Sequence, residues 1–308
     1  MADGVMVFAP APLLTVTIEQ QGEAVGLHVH PGGQGVWEAR MIASLGAAVT
    51  LCVALGGEVG DILRKLLADE DVTVRTVARH SGSGWYVHDR RDGTRVNVAD
   101  HPGDPMVRHD IDELYNIALA EGLRASVGVL SGPADPSVVD PDVYRRLAAD
   151  LTANGTPVVA DLSGPYLAAA LAGGLAFVKV SHEEVIDDGR ADDDSDEALV
   201  KAAYRLRDDG AAAVLISRAD QPGIALLDGQ LFEVHPPRLQ VADHRGAGDS
   251  MTAGVAAVLA GGGDLRDAVR TGAAAGALNV TRHGLGTGRA DAVRELLGRV
   301  RLTPLTVG

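Results

Sequence analysis

Only one cysteine occurs in the 308 residues, Cys52, inside the apolar run Val49 to Leu55. A single thiol cannot form an intramolecular disulfide, so we expect a reducing, cytoplasmic setting and a thiol that packs as a small hydrophobe. Aromatic residues are scarce at 3%, which leaves most of the packing to small aliphatic side chains. Lysine is nearly missing: Lys65, Lys179 and Lys201 are the only ones among 27 basic residues. That bias decides nothing about function. No apolar stretch reaches the ~18 residues that span a bilayer, and the opening Met-Ala-Asp-Gly has no basic n-region, so neither a membrane span nor a targeting segment is expected. Positive charge is also lacking. With 42 acidic residues the formal net charge is −15, which repels phosphate backbones and anionic lipid and excludes nucleic acid and membranes as expected partners.

What is present suffices for a large core: 46% of residues are hydrophobic and the mean hydropathy is +0.09. The length predicts one large unit, residues 1–308, carrying an appendage. Short β-branched runs alternate with Ala/Leu-periodic ones, the pattern of strands and crossover helices in a parallel sheet, so the fold class is α/β. Strands are predicted near Val5 to Phe8, Val49 to Leu55, Ser126 to Leu130, Pro157 to Asp161, Ala176 to Val180 and Ala212 to Ser217. Helices are predicted near Gly35 to Leu45, Asp61 to Asp69, Asp110 to Glu121, Asp140 to Ala153 and Glu197 to Asp208, and from Met251 onward the chain reads as helical and Ala/Gly-rich.

Leu13 to His30 and Trp85 to Ala99 break this rhythm, the second as a hairpin around Asp89-Arg90-Arg91-Asp92-Gly93. Antiparallel pieces in an α/β chain usually form a separate small sheet, and such a sheet over the strand ends can serve as a lid. The acidic segment Ile186 to Glu197 lacks the glycine position and terminal Glu spacing of a calcium loop and reads as a solvated turn before a helix.

The most informative stretch is Asp243-His244-Arg245-Gly246-Ala247-Gly248-Asp249-Ser250, followed by an Ala-rich helix. Small residues at Gly246, Ala247 and Gly248 admit a ligand close to the backbone, and the free N–H groups of a helix start favour negative charge. Asp249 in the first turn is placed to accept a proton from an attacking hydroxyl during phosphoryl transfer. On composition alone the same residues also fit a tight turn with an acidic helix start. A second Gly-rich stretch, Pro31-Gly32-Gly33-Gln34-Gly35, opens a helix that contains Trp37, Glu38 and Arg40.

Together, in this order, these motifs resemble the ribokinase-like, PfkB-type carbohydrate kinases, with a pattern similar to the branch of 1-phosphofructokinases and tagatose-6-phosphate kinases. The late D-T-x-G-A-G-D motif is matched by Asp243 to Asp249 with His244 for Thr, and the early G-G-K-G motif by Gly32 to Gly35 with Gln34 for Lys. Leu130-Ser131-Gly132, Asp161-Leu162-Ser163-Gly164 and Lys179 to Glu184 echo the family further. The resemblance implies a Rossmann-type three-layer α/β/α domain with a small β-sheet lid, from about 11–30 and 82–100, that transfers the γ-phosphoryl of ATP to a sugar hydroxyl with Mg2+. It implies that Asp249 is the base, that Gly246 to Gly248 are the anion hole, and that Gly32, Gly33, Gln34 and Trp37 face the acceptor. Glu184 would organise the metal from an N-x-x-E position whose Asn is Ser181. Ser217 and Gly223 would belong to the nucleotide loop, and Asn279 would line the adenine side. A homodimer through the lid is also implied.

The departures lie on the acceptor side. The acidic hydroxyl clamp of the family's opening motif falls on Leu13, which has no hydrogen-bonding capacity, and the lid segment that carries a phosphate-binding Arg reads Ser81-Gly82-Ser83-Gly84. Losing this Arg and the motif Lys argues against fructose 1-phosphate or tagatose 6-phosphate and favours a neutral or differently shaped acceptor. Arg40, Arg90, Arg91, Arg95 and Arg245 are candidate replacement anion contacts. A phosphosugar kinase with a rebuilt phosphate site and a binder without catalysis are the alternatives.

Overall fold

The computed structural model describes residues 4–219, 221–240, 244–281 and 286–306. Its strands are β1 Gly4–Phe8, β2 Leu13–Gln21, β3 Ala24–Gly32, β4 Ala48–Leu55, β5 Thr73–Ala78, β6 Ser83–Asp89, β7 Val96–Gly103, β8 Val127–Ser131, β9 Val158–Asp161, β10 Phe177–Ser181, β11 Val214–Ser217, β12 Gly223–Leu227, β13 Gln230–His235 and β14 Arg301–Pro304. Its helices are α1 Gln34–Ser44, α2 Gly57–Ala68, α3 Arg108–Gly122, α4 Asp142–Ala153, α5 Gly164–Gly173, α6 His182–Asp187, α7 Asp196–Asp208, α8 Ala247–Ala260, α9 Leu265–Asn279 and α10 Ala290–Leu297.

The large sheet runs β14-β13-β12-β11-β10-β9-β8-β1-β4-β5. From β11 to β5 every pairing is parallel, and β12, β13 and β14 add an antiparallel edge. Continuous apolar runs such as Leu51 to Leu55 are buried because both faces are covered. Met6 and Phe8 pack with Leu114, Tyr144 and Leu147 on one side, while Val5 and Val7 pack with Val36, Ile42 and Val255 on the other. Three layers result, as the sequence predicts. With few aromatics, contact is made by bringing backbones together: a Cβ on Gly254 of α8 would lie 2.7 Å from the Gly272 Cα of α9.

The two irregular segments form a second sheet, β3-β2-β6-β7, in which two antiparallel hairpins join through a parallel β2–β6 pairing. Period-two alternation gives it two faces. Thr15, Thr17, His28, His30, Tyr86 and His88 share one, and Val16, Ile18, Leu27, Val29 and Val87 share the other.

Several elements escape the sequence reading. β5, β12, β13 and β14 are short, and α6 has only six residues. The helix expected from Asp61 begins at Gly57, where φ is +67°, a left-handed value that reads as loop in a sequence. The acidic segment turns between the end of α6 at Asp187 and the start of α7 at Asp196, with Ser195 accepting a hydrogen bond from the Ala198 amide to cap α7. No helix among the described residues is long and apolar enough to cross a membrane.

Candidate active site

The carboxyl ends of β8, β9 and β10 deliver Ser131, Asp161 and Ser181 to one rim of the large sheet, where doubly wound α/β folds place their ligands. Two helices begin at this rim on glycine. Gly33 precedes α1 with φ +100°, and Gly246 precedes α8 with φ +70°, a conformation that L side chains resist. Gly35 lies so close to Ser131 that a Cβ there would sit 2.9 Å from its hydroxyl oxygen. A Cβ on Gly248 would run into Lys179 Nζ. Small residues are needed at these points because two helix starts and three strand ends converge.

Asp249, half-buried in the first turn of α8, meets Asp161 and Glu38 there: one carboxylate oxygen of each lies within 4.8 Å of the others. Lys179, 6% exposed, donates to Asp161 Oδ1 at 3.3 Å, and Thr252 donates to Asp161 Oδ2 at 2.9 Å. Ser131 donates to Glu38 Oε2, while Glu38 Oε1 is buried without a partner. Burial, reinforced by Asp161, pushes the Asp249 carboxyl up to about 7, with Lys179 opposing. Burial also drives Glu38 well above the carboxylate range, helped by Asp161 and Asp249. It raises Asp161 despite the neighbouring ammonium. For Lys179, burial alone would lower the ammonium, but Asp161, Glu184 and Asp249 outweigh it and keep it charged. This set supplies a proton acceptor that titrates near neutrality beside the open N–H groups of a helix start.

The other sequence-predicted residues serve varied ends. Gln34 donates to the Asp161 carbonyl at 2.9 Å and accepts from the Gly132 amide at 3.2 Å, so its amide ties two strand-end loops together. Gly32 ends β3, where the space for a Cβ is filled by the Thr15 hydroxyl. Trp37 is half-buried, with its backbone carbonyl against Gly286 and its indole N–H unpartnered. Glu184 completes a capping box, accepting from the Ser181 amide at 2.7 Å. Ser217 donates to the Val180 carbonyl at 3.4 Å, and Gly223 opens β12 at the sheet edge. Asn279 is fully buried, donating to the Arg245 carbonyl and accepting from the Gly286 amide. Asp243 lies outside the described residues.

Glu38 and Thr252 have no site role in the sequence reading, and Asp161 and Lys179 enter it only as parts of family echoes. A carboxylate on the apolar face of α1 was the one available signal. Above the rim, Tyr86 accepts from Arg95 Nε at 3.2 Å, and Arg245 hydrogen-bonds the same phenol. Burial alone would raise that phenol, but the two guanidinium bonds bring it below its usual value. Arg95 also lies over the Tyr86 ring, 4.8 Å from its centroid. Burial, then Arg95, Arg90 and Arg245, holds nearby His88 down to about 4, so it is neutral at pH 7. Arg40 is instead paired with Glu70, and Arg91 with Asp89.

Comparison with known proteins agrees with this architecture. The chain is 30% identical over 258 residues to the ATP-dependent 6-phosphofructokinase isozyme 2 of Escherichia coli, 82% of each chain being covered. It is 24% identical over 284 residues to the 1-phosphofructokinase of Bacillus subtilis, covering 90% of this chain and 89% of that one. The structure of Escherichia coli phosphofructokinase-2 in complex with fructose-6-phosphate superposes with a TM-score of 0.82 at 27% identity, covering 96% and 98% of the two chains. Arabidopsis thaliana ribokinase, at 20% identity and a TM-score of 0.73 over 96% of this chain and 99% of that one, shares the fold. The family described as "pfkB family carbohydrate kinase" matches residues 13–292, and with its ribokinase-like α/β fold the chain belongs to that family of sugar kinases.

Proposed function

We propose that the protein transfers the γ-phosphoryl group of ATP to a hydroxyl of a sugar phosphate. The observation that carries this reading is Asp249, a carboxyl pushed up to about 7 in the first turn of a helix that starts on Gly246 at the strand-end rim. As the alcohol oxygen attacks phosphorus, its proton passes to Asp249, the new O–P bond forms and the bond to the ADP leaving group breaks. The first N–H groups of α8 have no intrahelical carbonyl to bind, and they face the charge that develops on the phosphoryl oxygens. Lys179 donates to Asp161 and favours its charged form against burial, and its ammonium lies against Gly248 at the pocket floor.

A magnesium ion on the nucleotide would neutralise phosphate charge, and the buried Glu38 oxygen without a partner supports the reading that the carboxylates present suit a cation. Glu184 is the residue we assign to the nucleotide-bound ion, with Ser217 and Gly223 on the nucleotide side.

For the acceptor, two observations favour a phosphorylated sugar over the neutral one expected from the motif departures. The matched relatives are phosphofructokinases by name. In addition, Arg95 and Arg245 converge on the Tyr86 phenol from opposite elements, a placement that suits bidentate recognition of phosphate. The small sheet then acts as the lid over the acceptor, with Gly33 and Trp37 at its edge. Its outer apolar residues Val25, Leu27 and Val29 are exposed, and we assign them to pairing with a second copy. A cytoplasmic setting fits the lone buried thiol.

The test is Mg2+-dependent ADP release with a panel of free sugars, sugar phosphates and nucleosides, run beside Asp249→Asn. Turnover with sugar phosphates that disappears in the variant supports the reading. Turnover with free sugars alone would overturn the acceptor assignment, and unchanged turnover in the variant would overturn the base.

A further inference from the structure

The chain passes between the small sheet and the rest of the molecule four times, and two of these crossings, from β5 into β6 and from β7 into α3, run side by side. Their backbone is built for freedom: Gly82 and Gly84 lie on the first, and Gly103 opens the second at φ +96°, where L side chains are strained. Arg79 stands where the two meet and is only 5% exposed. Its guanidinium donates through Nε to the Ser81 carbonyl at 3.0 Å, and through Nη2 to the carbonyls of Gly82 and, at 2.9 Å, Asp104. Asp104 answers from the other crossing. Its carboxylate accepts from the Gly82 amide at 2.8 Å, and its own amide donates to the Gly82 carbonyl at 3.1 Å. The brace is also fastened to the large sheet, since the Arg79 amide donates to the Leu55 carbonyl at 3.0 Å and the Ser83 amide to the Gly56 carbonyl at 2.9 Å.

We infer that Arg79, with Asp104 as its reciprocal partner, is a positioning residue that sets the angle at which the small sheet stands over the strand-end rim. A buried guanidinium spent on three main-chain carbonyls from two segments exploits the rigid fork of arginine, and the point charge of a lysine cannot hold the same directions. Burial works against its charge, while Asp104 and Asp110 favour it. The angle matters because of what the sheet carries. Tyr86 lies three residues beyond Ser83 on β6, about 10 Å of extended chain, so a swing of ~10° at the brace moves the phenol by nearly 2 Å. That phenol and Arg95 face Arg245 on the turn before α8. A misplacement of ~1 Å between such groups can cost ~10²-fold. The inference rests on the acceptor reading proposed above, in which the two guanidinium groups hold the phosphate.

The test compares Arg79→Lys and Asp104→Ala with the wild type by two readouts. The first needs no turnover: in amide hydrogen exchange of the ligand-free protein, β6 and β7 are expected to exchange roughly tenfold faster or more in both variants, while β1, β8 and β9 keep their wild-type rates. The second is steady-state kinetics with ATP and a sugar phosphate varied in turn. The KM for the sugar phosphate should rise about tenfold or more, with the KM for ATP unchanged. A residue that served folding alone would lower the active fraction, and with it the apparent kcat, leaving both KM values in place. Asp104→Ala retains the guanidinium and carries the test if Arg79→Lys does not fold. The inference is overturned if exchange in β6 and β7 stays at the wild-type rate, or if both variants turn over with both KM values unchanged. Absence of turnover with every sugar phosphate in the wild type would sink the kinase reading instead, and hydrogen exchange then decides on the brace by itself.

Discussion

Asn279, at the last position of α9, donates a hydrogen bond to the carbonyl oxygen of Arg245 at 2.5 Å, so a helix end 34 residues later fixes the backbone that enters the Gly246 turn. Its other amide atom accepts from Gly286. In Asn279→Ala both main-chain groups lose their partner inside the protein, and we expect a loss of ~1–3 kcal/mol for each group left unpaired. Thermal denaturation should show the lower midpoint. The turnover number should fall along with it, because the N–H groups following Gly246 lose their fixed direction.

Asp249→Asn removes the proposed proton acceptor and keeps the shape of the side chain. We expect the turnover number to drop by ~10² or more, with ATP affinity retained when nucleotide binding is measured directly.

The pH dependence follows from the same residue. With its carboxyl at about 7, turnover should rise through neutrality as Asp249 loses its proton. Stability runs the opposite way. An acid whose folded value is raised contributes stability that is full below its unfolded value near 3.8 and is lost as pH climbs through the folded one. Asp249→Asn should therefore melt above the wild type at pH 8 and close to it at pH 5. Equal melting curves at pH 8 would show that Asp249 ionises without strain.

Arg95→Gln removes one of the two guanidinium groups at the Tyr86 phenol. Charge-assisted bonds contribute ~1.5–3 kcal/mol, so KM for a phosphorylated acceptor should rise by about tenfold or more while KM for ATP changes little. Steady-state kinetics with both substrates varied separates the two.

Leu27 is 65% exposed on the outer face of the small sheet. If a second copy covers that face, Leu27→Asp should shift the protein to monomer in light scattering without lowering the melting temperature of the monomer fold.

Legibility in the sequence followed local physics. Buried parallel strands are runs of apolar residues, so β1, β4, β8 and β9 could be placed from pattern alone, and Gly246 to Gly248 before an Ala-rich helix marked the glycine turn that opens α8. The hairpins of the small sheet were visible because alternation and the Asp89 to Gly93 turn are short-range signals. β12 to β14 were not, since short antiparallel edge strands carry little pattern, and β14 pairs with β13 across about 70 residues of chain.

By itself the sequence determined the α/β class and the two irregular segments that build the small sheet, and it singled out Asp249 as the candidate base, since each depends on residues adjacent or periodic along the chain. Tertiary structure alone decided the company of that base. Glu38, Asp161, Lys179 and Thr252 come from α1, β9, β10 and α8, and only the convergence of strand ends with helix starts puts them together. The same holds for Gln34, whose amide fastens two loops, and for Arg245, which reaches Tyr86 on another sheet. A carboxylate's titration and an arginine's partner depend on burial and on distance through space, and neither is a property of position in the chain.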